Sequence, residues 1–247
     1  MLFLKQGEKV RFTAVAFDLD GTLYPDYSLN FRLIPFILRE QRLLRAMGRA
    51  RKKLRASDME FEGISRKGSL DFYEAQAGLM AKDLGEPAAT VKEKLETLVY
   101  RGWEPIFKRI SLFPHVKDTL DTLRRNRIKL GLLSDFPPGE KLKNLNIDDY
   151  WDTIVCSELT GHLKPDSTSF LELAGAMKMK TEEILYVGNS VPYDVYGAKK
   201  TGMKAALVLT GPKKVFPVSC GRPSGSSFYQ ADFCFCDYRQ LRDYVLN

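Results

Sequence analysis

Asp18 and Asp20 stand two residues apart in "FDLDGTLYP", directly after the apolar run "FTAVAF". Ionised carboxylates are costly to bury, so a pair at the end of an apolar run marks where the chain leaves the interior. One such carboxylate can attack as a nucleophile while its neighbour moves a proton. Gly21 permits a tight turn after them, and Thr22 can brace it. Three further polar points follow comparable segments. "LLSD" delivers Ser134 and Asp135, "GHLKPD" delivers Lys164, and "YVGNSVPYD" delivers Asn189, Ser190 and Asp194. Together they make a nucleophilic carboxylate, a second carboxylate, a hydroxyl, a cation and a further cluster of oxygen ligands.

Such a set works only if strands carry its members to one edge. "FTAVAF", "IKLGLLS", "TIVC", "EILYVG", "KAALVLT" and "ADFCFC" read as strands. Helical segments of ten or so residues separate most of them, opened near Pro114 and at "PPGEKLKNL", "DSTSFLELAGAMKM" and "VPYDVYGAKKTG", with "YRQLRDYVL" last. That alternation predicts βαβ units, hence an α/β fold with a Rossmann-like parallel sheet and helices on both faces. Ligands of open α/β sheets bind beyond the carboxyl ends of the strands, where these polar points fall.

Between Ser28 and Arg101 the pattern is helical throughout. One long helix is expected over 29–54, a second over 69–85 and a third over 87–102. Gly85 suits the end of one and Pro87 the start of the next. An all-helical insert therefore interrupts the α/β domain after its first strand and would lie over the crevice like a lid. "TGPKKVFPVSCGRPSGSS" reads as a surface loop.

The 247 residues are 44% hydrophobic and carry a formal net charge of +7. No apolar run approaches the roughly 18 to 20 residues of a membrane span, and "MLFLKQGEKVRF" lacks the features of a signal peptide. The expectation is a cytoplasmic protein without a membrane partner. The four cysteines suggest no disulfide framework, and Cys234 and Cys236 are expected as two buried thiols on one side of a late strand. Much of the positive charge lies in 39–56. Without aromatic stacking residues this segment argues against nucleic acid and for a solvated helix face backed by Leu43, Leu44, Met47 and Leu54. A calcium loop starting at Asp18 is excluded, since it would need Gly at Leu23 and Glu at Leu29. His115 and His162 lack metal-ligand spacing and receive no role.

In order and spacing, "DLDGT", "LLSD", "KPD" and "VGNSVPYD" resemble the haloacid dehalogenase-like (HAD) hydrolase superfamily, in the subgroup with a helical, C1-type cap. The resemblance spans nearly the whole chain. It implies a core of residues 1–24 and 106–247 and a cap of residues 25–105. It also implies that Asp18 attacks phosphorus and forms an aspartyl-phosphate. Asp20 would act as acid and then base, and would lend its backbone carbonyl to a metal. Lys164 would offset negative charge, and Ser134, Asp135 and Thr22 would surround the phosphate. Mg²⁺ would be the cofactor, held by Asp18, Asp20, Asn189 and Asp194. The implied activity is Mg²⁺-dependent hydrolysis of a small phosphorylated substrate, with Tyr24, Tyr27 and the cap shaping its pocket and an arginine of 39–56 reaching it.

Two positions depart from the family pattern. Asn189 stands where an acid is usual, which predicts weaker Mg²⁺ binding without forbidding catalysis. Asp135 stands where many relatives carry Asn, adding negative charge near the phosphate. A dehalogenase is disfavoured, because those enzymes generally lack the acid that Asp20 supplies. A phosphotransferase or phosphomutase uses the same chemistry. A catalytically weak scaffold binding an anionic partner through the basic segment also stays open, as does oligomeric state.

Overall fold

The first apolar run forms the strand β1 (Ala14–Phe17), every residue of it buried. The computed structural model describes residues 12–60, 69–210 and 230–247. The other strands are β2 (Lys129–Ser134), β3 (Thr153–Cys156), β4 (Ile184–Gly188), β5 (Lys204–Val208) and β6 (Phe233–Phe235). Ten α-helices accompany them among the described residues: α1 (Asp26–Arg39), α2 (Gln41–Glu60), α3 (Ser69–Leu84), α4 (Ala88–Lys94), α5 (Val116–Arg125), α6 (Gly139–Asn144), α7 (Ser157–Thr160), α8 (Ser167–Met177), α9 (Tyr196–Lys200) and α10 (Tyr238–Leu246).

The strands pair in the order β3-β2-β1-β4-β5-β6, all parallel. Side chains alternate across a strand, so β1 feeds two cores at once. Val15 and Phe17 pack with Leu120 and Leu123 of α5, Leu142 of α6 and Leu241 of α10. Ala14 and Ala16 face the other way, toward Phe170 and Leu173 of α8 and Ala198 of α9. The chain builds outward from β1 to β3, then crosses to β4 on the far side of β1. A crevice opens where the direction of building reverses, and β1 and β4 flank it.

Helices α1 to α4 form the cap inserted between β1 and β2, and the cap has a core of its own. Leu43, Met47 and Ala50 of α2 pack there against Ala77 and Met80 of α3, with Val91 and Leu95. Gly85 has a positive φ of 70° just after α3, and Pro87 caps α4, as their residue types require. The single long helix expected over 29–54 is instead two. Pro35 lies inside α1, and Glu40 leaves helical geometry at φ −109°. The break lets Phe36 reach the Trp103 ring, 5.8 Å away, while α2 turns its apolar stripe into the cap core.

The thiol expectation fails in both members. Cys236 lies past the end of β6 and is exposed, whereas Cys234 is disulfide-bonded. The expected surface loop lies outside the described residues apart from Thr210. No described helix is long and apolar enough to cross a membrane.

Candidate active site

Parallel strands end at one edge, and that edge collects the polar residues. Asp18 follows β1 directly, its backbone N–H donating to the Val187 carbonyl of β4 at 2.9 Å. Its carboxylate is 5% exposed and fully engaged. Oδ1 accepts from Lys164 Nζ at 2.6 Å, and Oδ2 accepts from the Thr22 hydroxyl at 2.7 Å. Thr22 is thus a brace for Asp18, its own hydroxyl committed, rather than an open phosphate ligand.

Lys164 is as deeply buried as Asp18 and donates also to Asp194 Oδ1 at 2.7 Å and to the Tyr186 hydroxyl at 3.3 Å. The other oxygen of Asp194 accepts the backbone N–H groups of Asn189 and Ser190, at 3.1 and 3.0 Å. This fold-back needs Gly188, because a Cβ there would run into the Asp194 carboxylate. Burial opposes the charge on Lys164, but the carboxylates of Asp18 and Asp194 outweigh it and hold the ammonium charged. Burial also pushes Asp18 up to about 7 against the pull of Lys164, with Asp194 and Asp20 adding to the rise.

Asp20 sits at the mouth of the crevice, gripped by Tyr24 and by a lysine outside the sequence motifs. Lys141 Nζ, from α6, donates to both of its oxygens at 2.9 Å, and the buried Tyr24 hydroxyl donates to Oδ1. Tyr24 is completely buried against Phe107, and Tyr27 is 72% exposed. Where a pocket-shaping role was expected of both, Tyr24 is spent on orienting Asp20 and Tyr27 lies on the surface. The "LLSD" motif itself does not include Lys141, which lies in the first turn of α6 beyond Pro137 and Pro138.

At the end of β2, Ser134 is completely buried and its hydroxyl has no hydrogen-bond partner among the described residues. Asp135 is not a phosphate ligand in this arrangement. Its Oδ1 accepts the Lys164 backbone N–H at 3.1 Å and its Oδ2 accepts Arg55 Nη2 at 2.6 Å. Arg55 Nε donates in turn to the Lys164 carbonyl at 3.0 Å. Arg51, one turn earlier on α2, pairs with the fully buried Glu158 and stacks 4.1 Å over the Phe136 ring. The solvated-face expectation for 39–56 therefore fails at Arg51 and Arg55, which join the cap to the core. Burial works against ionisation of Asp135, but Lys164, Arg55 and Arg51 together hold its carboxyl below the usual range.

Asn189 donates its side-chain N–H to Asp26 Oδ2 at 3.3 Å. Both crowd Gly21, whose φ is 81° and where a Cβ would meet the Asn189 amide and the Asp26 carboxylate. A carboxylate from the first turn of α1 thus stands beside the position that lacks one. Asp18, Asp194 and Asn189 bring two carboxylates and an amide to the crevice, all of them oxygen donors. No group of three or more His, Cys, Asp or Glu among the described residues is arranged as a metal cage. Few carboxylates, with substrate and water completing the shell, is how Mg²⁺ is ordinarily held, so these residues fit it.

Residues 12–202 match the sequence model of the haloacid dehalogenase-like hydrolases. The chain belongs to this family. Among curated HAD-like relatives, it is 26% identical over 254 residues to a ribulose-1,5-bisphosphate 5-phosphatase of Halopiger xanaduensis, covering 94% of this chain and 99% of that protein. It is 30% identical over 201 residues to a glyceraldehyde 3-phosphate phosphatase of Methanothermobacter thermautotrophicus, covering 79% and 84%. In fold it matches a HAD hydrolase of Bacillus subtilis bound to magnesium, with a TM-score of 0.61, 14% identity and coverage of 95% and 99%.

Proposed function

We propose that this HAD-like hydrolase is a Mg²⁺-dependent phosphomonoesterase acting on a small phosphorylated metabolite, with residues 25–105 as its cap. The observation that carries the reading is the pair Asp18 and Asp20 in two different grips. Asp18 is buried and held by Lys164 and Thr22, fit to be aimed; Asp20 is at the mouth, held by Lys141 and Tyr24, fit to exchange protons. Relatives named as phosphatases support it, as does the acid at position 20 that a dehalogenase would not need.

An Asp18 oxygen attacks phosphorus in line as the ester P–O bond breaks, and Asp20 delivers its proton to the departing oxygen. The aspartyl-phosphate on Asp18 is then opened by water, which gives a proton back to Asp20 and releases inorganic phosphate. Lys164 neutralises charge on Asp18 and the phosphoryl group, and the Ser134 hydroxyl, without a partner among the described residues, donates to a phosphoryl oxygen. Asp18, the Asp20 carbonyl and Asn189 would hold Mg²⁺, whose positive charge would keep the Asp18 carboxylate ionised and polarise the phosphoryl oxygens. Asp194 has both oxygens on protein N–H donors and orients this set. Phosphate release from p-nitrophenyl phosphate with Mg²⁺ tests the reading. Asp18→Asn is expected to lose it by a factor on the order of 10³ or more; turnover surviving in that variant would overturn the assignment.

A further inference from the structure

Whatever the departing oxygen carries must lie beyond Asp20, and the structure shows what waits there. Lys141, which grips Asp20, also lines a cavity of about 380 Å³ between cap and core. Aromatic rings dominate its walls: Tyr73, Tyr100 and Trp103 from the cap side, Phe107 and Phe136 from the core. The rings brace one another, with Tyr73 and Tyr100 centroids 5.6 Å apart at 86° and Tyr100 and Phe136 6.2 Å apart. Arg51 stacked over Phe136 fixes the core wall.

Charge in the cavity discriminates as strongly as shape. Its cations are already matched: Lys141 by Asp20, and Arg101 by Glu96 at 2.7 Å. Glu104, also in the lining, makes no ion pair among the described residues. A second phosphate or carboxylate on the substrate would face π-clouds and Glu104, and would have to compete with Asp20 and Glu96 for the two cations of the lining. A three-carbon alcohol would leave most of 380 Å³ unfilled. A flat ring stacks against these walls, and a ring N–H or amino group meets Glu104.

We infer that the substrate is a phosphate monoester with one anionic group, whose alcohol bears a flat nitrogen-containing aromatic ring. This rests on the phosphatase reading and departs from the substrates in its relatives' names. The ring lies in the aromatic cavity, and the ester oxygen is presented to Asp20 past Lys141.

The test compares kcat/KM for nucleoside 5′-monophosphates and a pyridine-ring monophosphate with that for glyceraldehyde 3-phosphate, 2-phosphoglycolate and ribulose 1,5-bisphosphate. Ring-bearing esters are expected to lead by about tenfold or more, the worth of one good aromatic contact. Tyr100→Leu is expected to shrink that lead through a raised KM for the ring esters, with kcat little changed. Equal or better turnover of the ring-free esters, or a lead that Tyr100→Leu leaves intact, overturns the inference while the phosphatase reading stands. No phosphate release from any ester overturns both.

Discussion

Asp18 and Asp135 follow neighbouring strands, the first buried and the second mostly so, yet their carboxyl groups are driven in opposite directions. Asp18 is lifted to about 7, and Asp135 is held below its usual range. Burial disfavours charge at both. The difference lies in how many cations each can claim. Asp18 shares one ammonium with Asp194 and has a second acid two residues away. Asp135 has Arg55 in contact, Arg51 at 3.9 Å and the backbone N–H of Lys164. The core side of the crevice is short of positive charge, which suits the Mg²⁺ proposed to bind there. The cap side is already neutralised, which suits a joint.

The strongest way to break this contrast is Lys164→Met. It leaves Asp18 and Asp194 facing one another without a cation, and we expect a loss of about 3–5 kcal/mol in unfolding free energy of the metal-free protein, read by urea titration. A loss below 1 kcal/mol would show that the two acids are not held by Lys164.

Arg55→Met probes the other side and should cost less, about 1–3 kcal/mol, because Arg51 and the Lys164 N–H stay beside Asp135. Here the sign with pH is informative. A lowered folded-state pKa stabilises above the ordinary aspartate range, and that gain fades as pH falls through the folded value. Removing Arg55 raises that value, so the acid limb of a Tm–pH curve should move to higher pH. An unmoved limb would mean that Arg55 contributes nothing to Asp135.

The smallest effect is expected far from the crevice. Asp237 caps α10, accepting the Arg239 N–H at 2.8 Å, and its carboxyl is lowered to about 2 chiefly by Arg239. Asp237→Ala should cost about 1 kcal/mol. The cost should be present at neutral pH and vanish as pH drops from about 4 toward 2. A pH-independent cost would assign the effect to packing instead of charge.

Much of this arrangement was legible because strand ends are written in the chain as apolar runs followed by polar residues. Asp18, Asp20, Ser134, Asn189 and Asp194 fall at the same sheet edge for that reason, and Lys164 reaches it from beyond α7. The helical insert was equally plain from its unbroken 3.6-residue pattern. What stayed hidden was every contact between segments distant in sequence. Arg51 and Arg55 looked like surface charge because nothing local says that α2 lies against Glu158 and Asp135. Lys141 was invisible for the same reason, since its partner is 121 residues away. Thr22 and Asp135 carry the residue types of phosphate ligands, but their polar atoms were claimed by Asp18, Lys164 and Arg55. The break at Glu40 followed from which neighbour each half of the segment buries against.

Lys164 speaks to three parts of the molecule at once: its side chain to Asp18 and Asp194, its N–H to Asp135 and its carbonyl to Arg55. A residue fixed at side chain, donor and acceptor cannot slide along the chain. The segment from Gly161 to Asp166 is therefore one whose length is not adjustable. Inserting or deleting a single residue there would unhook Asp18 and the cap together, although most turns on a protein surface absorb such a change.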